Sequence, residues 1–169
     1  MALGESEFAQ FLESIRKPKY YDCSLDVNKY LLQINSAKVA YNSSFFSTLL
    51  SGNYCETSRK TIEVFLPNEN IIMFEVLIHF LQTDLLVIPK CVSENDLFHL
   101  VEQAIFLNEE KLVRVCEQQL CGKIILENIE KMLSFAEKND MNNLLEACIE
   151  KKITWILDND DYEELKKSL

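Results

Sequence analysis

The side chains that could do chemistry in this 169-residue chain are six cysteines, two histidines and a surplus of carboxylates. Cys23, Cys55, Cys91, Cys116, Cys121 and Cys148 form no Cys-x-x-Cys pair, and His79 and His99 fall inside apolar-periodic segments. A zinc site draws its ligands from short, clustered spacings, so this pattern predicts no metal. A Cys–His hydrolase needs a base seated on its nucleophile, and neither histidine has an evident partner. Cys116 and Cys148 lie on apolar helical stripes, where cysteine acts as a small buried hydrophobe. Cys55 stands between Tyr54 and Glu56, and a neighbouring carboxylate raises a thiol pKa, which argues against a redox sensor. Glu94, Asp96, Glu109 and Glu110 read as solvated helix ends, not as paired catalytic carboxylates. With no Gly-rich phosphate loop either, the chain reads as non-catalytic and without cofactors.

The informative stretch is Val39 to Thr57, VAYNSSFFSTLLSGNYCET. It predicts a short helix, a Ser-rich break, and a second helix carrying Phe45, Phe46, Leu49 and Leu50. Ser51-Gly52 then ends that helix, since glycine suits the left-handed residue found there. An apolar helix followed by an aromatic and an acid, Tyr54-Cys55-Glu56, has the chemistry of a docking surface. The alternative is a solvated loop whose Tyr54 covers the domain's own core.

Elements elsewhere must hold this stretch in place. Phe8, Phe11, Leu12 and Ile15 recur at helical spacing ahead of Pro18. Residues 22–27 alternate apolar and polar, and Asn28-Lys29 turns the chain into Tyr30–Ile34, a hairpin with one buried face. Thr61 to Leu66 reads as a strand stopped by Pro67. Asn68 to Leu81 is apolar on nearly every side, as in a buried central helix. Asp84 to Ile88 reads as a further short strand. From Ser93 onward the pattern is helical: Ser93-Glu94-Asn95-Asp96 resembles a helix start. Successive stripes follow: Leu97, Leu100, Val101, Ala104 and Ile105; then Leu112, Val113, Cys116 and Leu120. Ile129, Met132, Leu133 and Ala136 form a third stripe, and Met141, Leu144, Leu145, Cys148 and Ile149 a fourth. Asp158 to Leu169 suggests a last short helix.

Composition narrows the function classes. The net charge of −10 and pI of about 4.7 argue against nucleic acid, whose binding rests on phosphate neutralisation by Lys and Arg. Hydrophobic residues at 48% suit an ordinary globular core, and only 3 Gly and 3 Pro leave little room for long loops. MALGESEF has no basic, apolar signal-peptide character, and no apolar run approaches the roughly 20 residues that span a bilayer. The expectation is therefore a protein without a membrane segment and with reduced thiols, cytoplasmic, with the nucleus as an alternative.

The order of these elements resembles the BTB (POZ) domain followed by the start of a BACK domain. The residues that carry the resemblance run from YYDCSLDV through SSFFSTLLSGNYCET and TIEVFL to MFEVLIHFLQTDLLV, and on through LFHLVEQAIFLNEEKLVRVCEQQL. NIEKMLSFAEKNDMNNLLEACIEKKI resembles the opening BACK helices, with Asn128, Ala136, Leu145 and Cys148 at their usual positions. The implied fold is α+β, a small sheet flanked by helices, with a BTB domain over 1–125 and a partial BACK domain over 126–169.

The resemblance implies a dimeric substrate adaptor for a cullin-3 RING ubiquitin ligase. Its partners would be the cullin-3 N-terminal domain, a second copy of the chain, and an unknown substrate protein. Tyr54 and Glu56 match the family's apolar–x–Glu element, and Phe45, Thr48, Leu49 and Asn108 are further cullin-contact candidates. Phe8, Phe11, Leu12, Ile15, Phe46 and Leu50 resemble its two-fold dimer face. The chain departs from the family at Asn35-Ser36, where many members carry a His-Arg or His-Lys pair. In the transcription-factor branch that basic residue and an acid at the position of Asp22 line a corepressor pocket. Three alternatives remain: a scaffold that never meets a cullin, a transcriptional regulator, and a competitor of adaptor dimers.

Overall fold

The computed structural model describes residues 21–51, 61–66, 70–86, 88 and 92–158. Several sequence expectations lie outside these residues: the helix of Phe8, Phe11, Leu12 and Ile15, the Tyr54-Cys55-Glu56 triplet, and the last short helix. By contact the chain divides into two compact units, Met1–Val113 and Arg114–Leu169. The division falls within a helix, ahead of the expected domain boundary at 125/126.

In the first unit, strands β1 (Cys23–Val27) and β2 (Tyr30–Ile34) form the expected antiparallel hairpin. Asn28 and Lys29 both have positive φ (52° and 70°), the backbone of a two-residue turn whose twist matches the flanking strands. The Lys29 N–H donates to Asp26 Oδ1 at 2.9 Å and fastens the turn. Strand β3 (Thr61–Val64) pairs parallel to β1, giving the order β2-β1-β3. Strict alternation decides the faces: Cys23, Leu25, Val27, Ile62 and Val64 are buried, while Thr61 and Glu63 lie on the opposite face.

Helices α1 (Ser36–Asn42) and α2 (Ser44–Ser51) follow β2. Helix α3 (Ile71–Thr83) is the central helix, with Met73, Phe74, Val76, Leu77, Ile78, Phe80 and Leu81 all buried. Asn70 caps α3 by accepting from the Met73 N–H, and its amide donates to Asp96 Oδ1 at 3.2 Å. Asp96 belongs to the first turn of α4 (Glu94–Phe106), which Ser93 opens with a reciprocal capping box as its sequence suggested. One hydrogen bond thus ties together the starts of α3 and α4. The strand expected at Asp84–Ile88 is absent from its described residues. Asp84 takes the left-handed conformation (φ 60°) and donates its N–H to Phe80 O at 2.7 Å, ending α3 as a cap.

Helix α5 (Glu110–Cys121) leads into the second unit. There a 3-10 turn (Leu126–Asn128) precedes α6 (Ile129–Lys138) and α7 (Asn142–Asp158). Asn128 folds the entry to α6, accepting from the Ile125 N–H and donating to Lys123 O. Ile129, Met132, Phe135 and Ala136 are buried along α6; Phe135 takes the place expected for Leu133, which is half-buried. Leu144, Cys148 and Ile156 are buried along α7, whereas Ile149, expected in that stripe, is exposed. Buried Glu117 of α5 accepts from the Leu144 N–H (3.0 Å) and from Asn143 Nδ2 (2.8 Å), satisfying donors at the start of α7. Burial pushes the Cys116 thiol up to about 12, so at neutral pH it stays protonated and packs as an apolar side chain.

Candidate functional site

Phe45, Thr48, Leu49 and Asn108, four of the cullin-contact candidates, line a groove in the first unit, while Tyr54 and Glu56 lie outside the described residues. Two successive helices set one wall: the α1–α2 break leaves Ser43 extended, and α2 then presents Phe45, Thr48 and Leu49 along one side. The other wall is the end of α4 and the turn beyond it, which supply Phe106 and Asn108. The groove is open, with a volume of about 430 Å³, in the range of sites that receive apolar groups from a ligand or partner.

The turn is built by its backbone. Asn108 has φ 57° and donates its N–H to Ile105 O at 3.0 Å, while the Glu109 N–H reaches Ala104 O at 2.8 Å. These two bonds are those of a Schellman motif, with Asn108 at the left-handed position that asparagine tolerates better than most residues. This geometry turns Leu107 inward to complete burial and leaves Phe106 about half exposed (48%).

Aromatic contacts shape the groove. The Phe45 ring stands edge-on to Phe46 (centroids 5.2 Å apart, 85° between planes) and lies 6.2 Å from the Phe106 ring. Both separations are favourable for aromatic pairs. Phe46 is fully buried beneath Phe45, so this member of the expected dimer face belongs to the core of its own chain. Leu50, the other described member of that set, is half-buried.

Ser43 and Glu109 lie behind the two walls. Ser43 Oγ accepts from the Phe46 N–H at 3.3 Å and so caps α2. The same hydroxyl neighbours the Glu109 carboxyl, whose Oε1 is buried without a hydrogen-bond partner among the described residues. Burial pushes that carboxyl above the ordinary glutamate range, and the Ser43 hydroxyl opposes part of the rise. Glu109 was read from sequence as a solvated helix end; it is buried. The sequence reading also missed Phe106 and Ser44, and placed Ile105 on the buried stripe although it is exposed.

At the start of α1, both oxygens of Asp22 are engaged by Ser36: Oδ1 accepts from its N–H at 2.8 Å and Oδ2 from its hydroxyl at 2.6 Å. The serine that stands where many family members carry a base therefore uses Asp22 to satisfy a helix-start donor.

Comparison with known proteins adds the following. A family model for the BTB/POZ domain matches residues 11–124. Among solved structures, the chain is similar to the BTB domain of human gigaxonin, at 18% identity and a TM-score of 0.45, covering 66% of this chain and 88% of that one. It is also similar to the BTB domain of zebrafish PATZ1, at 18% identity and a TM-score of 0.47, covering 71% and 93%. No curated protein matches the chain.

Proposed function

The chain belongs to the BTB/POZ family of protein–protein interaction modules, and we propose on that footing that it is a dimeric substrate adaptor of a cullin-3 RING ubiquitin ligase. Members of the family mediate homo-oligomerisation and protein contacts. In this reading the chain performs no bond chemistry. It raises the local concentration of substrate lysines near a ubiquitin-charged enzyme, and a dimer doubles the valency.

The observation that carries the reading is the groove itself. Phe45, Thr48, Leu49 and Asn108 come from two separate elements and line one concavity with an aromatic floor and a polar end. Half-exposed aromatic and aliphatic groups around a depression are the usual anchors of a protein interface. Tyr54 and Glu56, which follow α2 in sequence, would add the aromatic plug and the charged contact. Residues 126–169 are read as the opening of a BACK domain, and the dimer as one that also uses Phe8, Phe11, Leu12, Ile15 and Leu50.

The corepressor-binding alternative has less to recommend it, because Asp22 is occupied by Ser36 and the basic member of that pocket is missing. Calorimetric titration with the isolated cullin-3 N-terminal domain tests the adaptor reading. Saturable binding supports it; a folded dimer that shows no heat of binding leaves the scaffold reading in its place.

A further inference from the structure

We propose that the open edge of β2 pairs with an extended segment of a basic partner protein. The segment adds a fourth strand to the sheet and lays an aliphatic side chain in the trough between β2 and α3. The site belongs to the first unit and shares no lining residue with the groove, so it is independent of the cullin reading.

The backbone prepares the edge. In the order β2-β1-β3, β2 is the outer strand. A two-residue turn closes the hairpin at Val27 and Tyr30, and bonded and non-bonded pairs alternate from there. Leu25–Leu32 and Cys23–Ile34 are thus the next bonded pairs. The Ile34 carbonyl does face β1, where it accepts from the Asp22 N–H at 3.1 Å. The N–H and C=O groups of Leu31 and Gln33 point to the other side, away from β1. No backbone bond to another described element covers them, and Leu31 is 60% exposed. Such a row of unpaired groups is a template for a further strand.

A trough runs along the same edge. Its lining takes four consecutive residues of β2, Tyr30 to Gln33. Successive strand side chains point to opposite faces, so a cavity touching all four passes beside the backbone and not over one face. Opposite them stand Glu75, Ile78, His79 and Gln82, a single stripe of α3 by their helical spacing. The volume is about 170 Å³, below the range of drug-sized ligands and suited to one side chain of an added strand.

The chemistry of the trough selects the occupant. Its polar groups are already engaged: the Tyr30 hydroxyl donates to Glu75 Oε1 at 2.6 Å, and Gln82 accepts from the Asn35 N–H at 2.9 Å. A side chain that asks for no hydrogen bond therefore suits it, and Leu32 and Ile78 offer that side chain an apolar surface. A β-branched aliphatic residue also favours the strand conformation. On the outer face Asp26 stands opposite Leu31, and the chain carries a charge of −10, so basic residues flanking the aliphatic one are favoured over acidic ones.

The test uses the full, isotope-labelled chain. In the free chain the amides of Leu31 and Gln33 should exchange quickly while that of Leu32 is protected. Titration with acetyl-Lys-Thr-Val-Thr-Val-Lys-amide should shift Tyr30–Gln33 and Ile78–Gln82 saturably and slow exchange at Leu31 and Gln33. The same peptide N-methylated at its four central residues keeps every side chain but cannot donate to β2, and should bind at least about tenfold more weakly. Serine in place of both valines should weaken binding as well. Leu31→Pro removes an outward N–H without touching the ladder to β1, and should reduce affinity by a similar factor. Equal binding of the N-methylated peptide, shifts confined to other residues, or no shift at all would overturn the proposal. Protection of Leu31 and Gln33 already in the free chain would mean that its own segment or a second copy covers the edge, and would likewise overturn it. The contrast between the two peptides on the unaltered chain decides the question even if Leu31→Pro fails to fold.

Discussion

Ser43, which caps α2, neighbours the carboxyl of Glu109, which follows the Asn108 turn. Both are buried, so a hydroxyl and a carboxyl shielded from water meet behind the groove. Glu109 Oε1 has no hydrogen-bond partner among the described residues, which makes the ionised form costly there.

Stability should depend on pH through Glu109. Its folded pKa is raised by burial, so the folded state holds the proton more tightly than the unfolded chain does. Stability from this group is full below the ordinary glutamate pKa of about 4.3 and is lost as pH rises through the higher folded value. Glu109→Gln removes the titration while keeping the size and an acceptor oxygen. The difference in Tm, variant minus parent, should therefore grow between pH 4 and neutrality in thermal melts; a difference independent of pH contradicts the assignment.

Adjacent phenylalanines should separate folding from binding. Phe46 is fully buried, and Phe46→Ala should cost about 3–5 kcal/mol in denaturant titrations. Phe45 is half-buried at the groove, so Phe45→Ala should cost less stability while weakening whatever occupies the groove. If the two variants unfold at the same denaturant concentration, Phe45 is core and not surface.

The hairpin turn stores a removable cost. Lys29 occupies φ 70°, a region where a side chain clashes with its own carbonyl and where glycine is at ease. Lys29→Gly should raise stability by about 1 kcal/mol, measured by urea unfolding, because the backbone bond to Asp26 needs no side chain. A loss of stability would mean that the lysine side chain contributes more than the strain removes.

In the second unit, Glu117 is the sole described side chain whose carboxylate meets both Asn143 and the Leu144 N–H. Glu117→Ala strands a buried donor at the start of α7 and should cost about 1–3 kcal/mol. Amide exchange at Leu144 should speed up more than exchange along α6. Uniform acceleration across the unit would show that the effect is not local to that helix start.

Much of the fold was legible because period-two and helical spacing mark faces directly. Leu25, Val27 and the apolar residues Met73, Phe74, Leu77, Ile78, Phe80 and Leu81 are buried where the pattern put them. The errors fall where a helix ends. Ile105, placed on the buried stripe, is exposed and Leu107 beyond it is fully buried, because the Schellman turn at Asn108 rotates the chain beyond the reach of a 3.6-residue stripe. Asp84 caps α3 where an apolar run following it suggested a strand, since the cap is decided by a backbone angle and not by hydropathy. Ile149 repeats in phase with Leu145 and is exposed, because α7 buries a narrower face than its apolar content would cover. In the groove, Phe45, Thr48, Leu49 and Asn108 were named through family resemblance. Phe106 was not, because only the turn geometry turns it outward. Glu109 is buried although an acid at a helix start is usually solvated, and no pattern in the chain announces the burial that the Asn108 turn imposes on it.

The most direct measurement is calorimetric titration of this chain with the cullin-3 N-terminal domain, wild type beside Leu49→Lys, Tyr54→Ala and Glu56→Lys. Leu49 is half-buried at the groove, so a lysine there can reach solvent while placing charge where an apolar group should dock. The adaptor account predicts saturable binding by wild type and a loss of roughly 1–3 kcal/mol or more in each variant, with the fold intact by circular dichroism. A wild-type chain that is folded and dimeric yet gives no binding, or variants that bind as well as wild type, would contradict it.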